Sequence, residues 1–178
     1  MKKYTTTAIV LHWLMAIAIV GLFSFGLYVA SLPLSPNKLK FLSWHKWAGV
    51  TLFLLAGFRL AWRLAHRPPA LPEHMGRAER LLAGAGHGLL YLLMFVIPLS
   101  GWAMSSAKGF QTVYFGVIPI PDLLEKNKAL GDLLLTVHLS LNVLLAAVVI
   151  GHVAMALKHH FVDKDDVLRR MLPDHGKP

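Results

Sequence analysis

Four histidines lie inside long apolar stretches of this sequence, where an ionisable side chain is costly to place. They are His12, His45, His138 and His152. Ionisable residues in apolar segments long enough to cross a membrane are rare and usually indicate function. A single such histidine is more often a packing residue or part of a proton path than a metal ligand. The spacing of the four histidines is what distinguishes these alternatives.

His138 and His152 are 14 residues apart in the last of these stretches. In an α-helix this separation returns to within about 40° of the same face and places the two rings about 21 Å apart along the axis. One helix would therefore offer one ligand to each of two centres stacked along its length. Each centre would take its second ligand from a neighbouring helix.

Four apolar blocks supply the helices that these histidines require, at about residues 7–32, 44–64, 81–104 and 130–157. The chain of 178 residues is 56% hydrophobic and only 15% charged, with a mean hydropathy of +0.55. Each block reaches the roughly 20 residues needed to cross about 30 Å of hydrocarbon. The sequence therefore predicts an all-α integral membrane protein in which residues 1–178 form a single four-helix bundle.

The net charge of +9 is explained by topology rather than by nucleic-acid binding. With the N-terminus in the cytoplasm, twelve of the 18 Lys and Arg residues lie on the inner side and six on the outer side. An excess of basic residues on the cytoplasmic side is the usual arrangement of membrane proteins. The sequence therefore predicts an N-in, C-in topology.

This topology pairs the histidines by depth, because His45 enters the second block from outside whereas His12 lies near the inner end of the first. His45 then lies level with His138, and His12 with His152. Two imidazoles from facing helices are what a low-spin, electron-transferring haem requires, since no axial position stays open. Zinc or copper would ask for three or four ligands at one level. We therefore predict two stacked b-type haems, the inner on His12 and His152, the outer on His45 and His138.

Two further features of composition agree with this prediction. The chain contains no cysteine, which excludes iron–sulfur clusters, thiolate-bound zinc and covalently attached haem. Gly49 lies one turn from His45, and Gly151 adjoins His152. Glycine beside a ligand lets a porphyrin lie against the backbone, although glycine is also common at ordinary helix contacts.

Other polar residues near the inner ends of the spans have two interpretations each. Arg59 lies 14 residues after His45, so it is a candidate partner for a propionate of the inner haem, or it extends to the interface. His87, Lys158 and His159 are candidates for binding a quinone, whose carbonyl oxygens need hydrogen-bond donors. The alternative for these three is an interfacial position with no special role.

The pattern as a whole resembles the bacterial cytochrome b561 family, which is grouped with the cytochrome b subunits of nickel hydrogenases. The resemblance covers almost the whole chain, and its motifs are specific only in combination. They are Leu11-His12-Trp13, Trp44-His45-Lys46, Arg59 with Arg63, Gly86-His87, His138, Gly151-His152 and Lys158-His159-His160-Phe161.

The resemblance implies a diheme, quinone-linked electron carrier, a multi-pass protein of the bacterial inner membrane, with the same two ligand pairs. Some members of the family resemble superoxide oxidases, which pass electrons from periplasmic superoxide to ubiquinone. Two forms of the function stay open: an enzyme that oxidises superoxide itself, and a carrier or cytochrome b subunit that serves a separate redox partner.

The charge of the outer surface bears on this choice. Six lysines against three carboxylates leave the predicted outer side at +3. Such a surface attracts anions, although it does not select superoxide among them. A haem-free transporter or structural bundle is a third class, and it would leave the pairing of histidines by depth as a coincidence.

Overall fold

The structure is a computed structural model that describes residues 3–72 and 75–173. Of the basic residues used to predict the topology, Lys2 and Lys177 lie outside this range. Four long helices form the fold, and each is long and apolar enough to cross a membrane. They are α1 (Thr6–Ser31), α2 (Pro36–Ala65), α3 (Arg77–Ala107) and α4 (Lys128–Phe161). The predicted four-helix membrane bundle is confirmed.

Two short strands and a 3-10 turn complete the described secondary structure. The strands β1 (Val113–Tyr114) and β2 (Ile118–Pro119) form an antiparallel hairpin between α3 and α4. The 3-10 turn covers Arg169–Met171, after α4.

The second helix begins at Pro36, earlier than the predicted apolar block, which starts at about residue 44. Ser35 caps α2, since its hydroxyl accepts a hydrogen bond from the backbone N–H of Lys38 (3.2 Å), and Pro36 occupies the first turn. A serine cap followed by proline starts a helix. Asn37, Lys38 and Lys40 therefore lie on α2. The apolar block marks the part of a helix in hydrocarbon, and the helix itself continues beyond it.

The helices pack antiparallel, so the start of one helix and the end of the next meet at the same end of the bundle. Helix α3 packs along α4, α1 along α2, and α2 also meets α3. We call the end with Thr6, Ala65, Arg77 and Phe161 the terminal end, and the opposite end the loop end. At the terminal end the segment after α4 crosses the bundle, where Trp13 Nε1 donates to the carbonyl oxygen of Met171 (2.8 Å).

A buried apolar layer divides the interior between these two ends. It consists of Leu93, Ile97 and Leu145, with partly buried neighbours such as Ile19 around it. Leu145 is seven residues from both His138 and His152, so the layer lies midway between the levels of these two histidines. One group of polar residues lies on each side of it.

Candidate functional site

The group near the loop end takes one residue from each helix. Two of them are His45 and His138, and each ring lies against a glycine of the helix before its own. A Cβ atom at Gly26 would stand 2.9 Å from Cε1 of His45, and one at Gly101 would stand 3.1 Å from Cε1 of His138. We call Gly26, His45, Gly101 and His138 the outer layer, a name that follows the predicted N-in topology.

Hydrogen bonds fix the orientation of one outer-layer histidine. His138 Nδ1 lies 3.1 Å from the carbonyl oxygen of Ile97 and 2.9 Å from Ser100 Oγ. Because a carbonyl oxygen only accepts, Nδ1 carries the proton, and Nε2 keeps its lone pair free for a metal. A metal-bound histidine is commonly held in this way, through its second nitrogen, by a backbone carbonyl. In the described structure the Nδ1 atom of His45 is buried and has no hydrogen-bond partner.

The group near the terminal end also takes one residue from each helix, namely His12, Arg59, His87 and His152, and we call it the inner layer. The ring centroids of His12 and His152 are 6.1 Å apart. An imidazole nitrogen bonds a metal ion at about 2 Å, so two rings on opposite sides of one ion have centroids about 6 Å apart once the ring radius is added. The predicted pair therefore has the separation of two ligands on one metal.

His87 is a third histidine at this level, where the sequence predicted only two. Its ring centroid lies 5.4 Å from that of His152, and its Nδ1 atom donates to the carbonyl oxygen of Ala83 (2.7 Å). Among the described residues, however, neither layer brings three ligand atoms within 4.8 Å of one another. The layers therefore lack the converging ligands that a zinc site needs.

The two layers share a regular spacing that sequence reasoning found in only two of the helices. Each helix contributes one residue to each layer, and the two are always 14 residues apart: His12 and Gly26, His45 and Arg59, His87 and Gly101, His138 and His152. Four turns of helix return each pair to nearly the same face. Searching α1 and α3 for the same interval would have identified Gly26 and Gly101 as site residues.

Arg59 contacts His12 within the inner layer and also lines a cavity. Its Nη2 atom donates to Nδ1 of His12 (3.0 Å). The cavity has a volume of about 120 Å³ and opens at the terminal end. Its lining includes four further basic side chains and no carboxylate: Lys3, Arg63, His66 and Arg67. An anionic group would therefore find several cations there.

Two observations test whether the layers suit an iron-bound imidazole pair. Nε2 of His138 is free to bind a metal, because Nδ1 carries the proton. The ring centroids of His12 and His152 have the separation of two ligands on one ion. The histidines of both layers therefore fit haem ligation.

The other predicted residues of the terminal end fall into two groups. Lys158 and His159 share a carboxylate, since Asp163 Oδ2 lies 2.8 Å from Lys158 Nζ and 3.1 Å from His159 Nδ1. His159 is buried and also contacts Asp165 Oδ2 (2.8 Å). His87 lies deeper, beside His152, which precedes His159 on α4 by seven residues, or about 10 Å of helical rise.

A four-helix membrane bundle with layers of facing histidines has the construction of a membrane-bound b-type cytochrome. The chain belongs to the prokaryotic cytochrome b561 family, whose model matches residues 3–174. The expected family is thus confirmed, and with it the binding of b-type haem and a role in transmembrane electron transfer in a bacterial membrane.

Curated relatives match the chain over nearly its whole length. "Cytochrome b561 homolog 2" of Escherichia coli (strain K12) is 36% identical over 172 residues, which are 96% of this chain and 92% of the relative. "Probable superoxide oxidase CybB" of Yersinia pestis is 31% identical over 174 residues, 97% of each chain. "Cytochrome b561 homolog 1" of Escherichia coli (strain K12) is 25% identical, over 97% of this chain and 98% of the relative.

Proposed function

We propose that this protein transfers electrons across the bacterial inner membrane through two b-type haems, with both termini in the cytoplasm. His12 and His152 hold the inner haem, and His45 and His138 hold the outer haem. The observation that carries the proposal is the presence of two histidine layers on opposite sides of a buried apolar layer. Both layers use the same four helices, so one rigid bundle fixes their separation.

The residues around the two haem positions influence the redox potential, the access of substrate and water, and the distance between the haems. Haem b supplies a one-electron iron couple whose potential depends on its axial ligands, nearby charge and exposure. With one histidine from each of two helices, the chain would leave the iron no open position for a substrate. The side chains of Leu93, Ile97 and Leu145 fill the space between the layers and exclude water from it. His138 and His152 set the two levels about 21 Å apart by helical rise.

We further propose superoxide as the electron donor and ubiquinone as the acceptor. Two superoxide ions each lose one electron to become dioxygen, and one ubiquinone gains both electrons and two protons to become ubiquinol. The name of the Yersinia pestis relative and the positive charge at the loop end support this form. The alternative is a carrier that links quinol to a separate redox partner without substrate chemistry of its own.

Quinone binding is proposed at the terminal end, near Lys158, His159 and His87. Lys158 carries donor N–H groups there, and His159 lies against two carboxylates, Asp163 and Asp165, that are able to relay protons. Reduction of a quinone consumes protons as well as electrons. A buried histidine in contact with carboxylates at the membrane edge is a suitable proton donor.

The superoxide form predicts a rate that depends on charge at the loop end. We expect a superoxide pulse to reduce the oxidised protein rapidly in stopped flow, as followed by the b-type absorbance. Lys40→Glu should slow this reduction several-fold at low ionic strength, and added salt should remove the difference, because exposed charges are screened. Lys40 suits the test because it is exposed, whereas Lys38 Nζ donates to the carbonyl oxygen of Leu32 at the end of α1.

Lys164→Glu is the matched control, since Lys164 is an exposed lysine at the terminal end. It should leave the superoxide rate unchanged. A slow reduction that responds neither to salt nor to Lys40→Glu would overturn the enzyme form and favour the carrier.

Arg59 has a role that follows from the protonation of an iron-bound imidazole. When Nε2 of His12 binds iron, Nδ1 carries the proton and cannot accept the hydrogen bond that Arg59 donates to it. Arg59 must then turn to another acceptor. A haem propionate in the basic cavity is an anion within its reach, and a guanidinium binds a carboxylate strongly.

Arg59→Leu should therefore lower the midpoint potential of the inner haem. A positive charge beside the haem favours the reduced form, and a tenfold change in a one-electron equilibrium is about 59 mV. We expect a decrease of several tens of millivolts in a redox titration, with the outer haem unchanged. Arg77→Leu, which removes an exposed arginine at the start of α3, is the control. Equal effects of the two variants would contradict the role of Arg59.

A further inference from the structure

The connection between α3 and α4 contains a stretch without charge that the function does not explain. Residues 112–121 include no Asp, Glu, Lys, Arg or His, whereas Lys108 and Asp122 flank the segment. It contains the hairpin of β1 and β2, and three large apolar side chains at its tip are exposed: Phe115 (61%), Val117 (78%) and Ile118 (58%). We call these three residues the hairpin tip. Such a surface is unusual in a loop that faces water.

The hairpin packs on the side of α2 that points away from the haem layers. Trp47 Nε1 donates to the carbonyl oxygen of Val113 (2.6 Å), and Thr51 Oγ1 lies 2.9 Å from the hydroxyl oxygen of Tyr114. Trp47 is two residues after His45, and Thr51 is six residues after it. The two side chains therefore point about 160° and 120° away from His45 around the helix axis. The hairpin is therefore outside the bundle, where lipid surrounds α2.

The depth of these contacts is that of the membrane interface. The apolar block of α2 begins near Trp44, and by helical rise Trp47 and Thr51 lie about 4.5 Å and 10 Å further in. Trp and Tyr are the residues enriched at this level, because an apolar ring with a polar atom suits the boundary. Tyr114 contacts Thr51 and so lies at this level of α2.

Hydrogen bonds within the hairpin pair part of its backbone, which lowers the cost of placing these polar groups beside lipid. The N–H groups of Gly116, Val117 and Ile120 donate to the carbonyl oxygens of Val113, Tyr114 and Thr112. Phe115 has a φ of 49°, which is uncommon for a bulky residue, and its ring lies 5.4 Å from that of Trp47. The turn thus keeps an uncommon backbone conformation and places Phe115 beside the interfacial tryptophan.

We infer that this hairpin is a lipid-binding surface that inserts its tip into the outer leaflet of the bilayer beside α2. The hairpin tip contacts lipid at the boundary between the headgroups and the acyl chains. An uncharged, self-bonded hairpin at interfacial depth, on the lipid side of a spanning helix, has the chemistry that this boundary accepts. The hairpin then anchors the connection between α3 and α4 to the membrane. Lys46 Nζ fixes the same connection to α2, since it donates to the carbonyl oxygens of Phe110 and Gln111.

The absence of native cysteine makes the test direct, since a single introduced thiol is labelled without background. Val117→Cys and Ile118→Cys would each carry an environment-sensitive fluorophore, in holoprotein reconstituted into phosphatidylethanolamine and phosphatidylglycerol vesicles. Glu125→Cys, at an exposed charged position of the same connection, is the matched control. The b-type spectrum checks that each variant is folded.

We expect lipids brominated on their acyl chains to quench the labels at 117 and 118 several-fold more than the label at 125. Aqueous iodide should show the reverse order. Iodide quenching at 117 and 118 equal to that at 125 would overturn the inference. Labels at 117 and 118 shielded from both quenchers would overturn it too, because they would show a protein partner or second copy on the hairpin.

Discussion

Protein carrying His152→Ala is expected to hold one b-type haem per chain instead of two. Under the proposed pairing, His152 and His12 would together hold the inner haem, and a lone imidazole would leave that haem weakly bound. The outer haem should stay, because His45 and His138 lie beyond the buried layer of Leu93, Ile97 and Leu145. The measurement is haem content by pyridine haemochrome, with a redox titration to identify the remaining centre.

A set of variants distinguishes ligand loss from general damage. His12→Ala should deplete the same centre as His152→Ala, and His45→Ala the other one. Arg77→Ala is the control, since Arg77 is an exposed residue at the start of α3 and belongs to neither layer. If His152→Ala and His45→Ala deplete the same centre, the pairing is wrong. If each histidine variant loses both haems while Arg77→Ala keeps them, the two sites are not separate.

Gly26→Ala is expected to remove or weaken the outer haem while the helix that carries it stays intact. The new Cβ atom would lie 2.9 Å from Cε1 of His45, closer than side-chain contacts allow, so the imidazole must move. Functional groups need positions accurate to about 0.5 Å. Disturbing what orients a metal-bound histidine typically costs about 10- to 100-fold in affinity. Haem titration of the apoprotein should show a loss in this range at the outer site.

Gly21→Ala gives a matched control on the same helix, because a Cβ atom at Gly21 meets nothing within 4 Å. It should bind both haems as the unmodified protein does. Gly101→Ala, at 3.1 Å from His138, should give a smaller loss at the same site. Unchanged affinity in Gly26→Ala would show that the ring of His45 does not need the place it occupies in this structure.

The two outer-layer histidines are held in place in different ways. His138 is oriented by Ile97 and Ser100, whereas Nδ1 of His45 is buried without a hydrogen bond. His45 is therefore positioned by packing, against Gly26 and the ring of Phe25, whose centroid lies 6.4 Å from its own. This difference is the reason to expect the larger effect at Gly26.

The sequence by itself determined the parts of this protein that depend on one helix at a time. Apolar blocks of sufficient length must become spanning helices, because lipid offers no partner to an unpaired backbone. Within a helix, residue number converts into depth and direction. The pairing of His12 with His152 and of His45 with His138 is therefore a prediction that needs no knowledge of packing. The nearness of Arg59 to the inner layer is another, and the structure shows its contact with His12.

Only the tertiary structure decided what depends on how the helices are rotated against one another. That rotation brings His87 beside His152, sets Gly26 and Gly101 against the histidine rings, and turns Trp47 toward the hairpin. The same pattern of apolar residues accommodates many rotations when lipid surrounds the bundle, since lipid-facing and buried side chains are equally apolar. Contacts between side chains of different helices select one rotation, and those contacts are absent from a single helix.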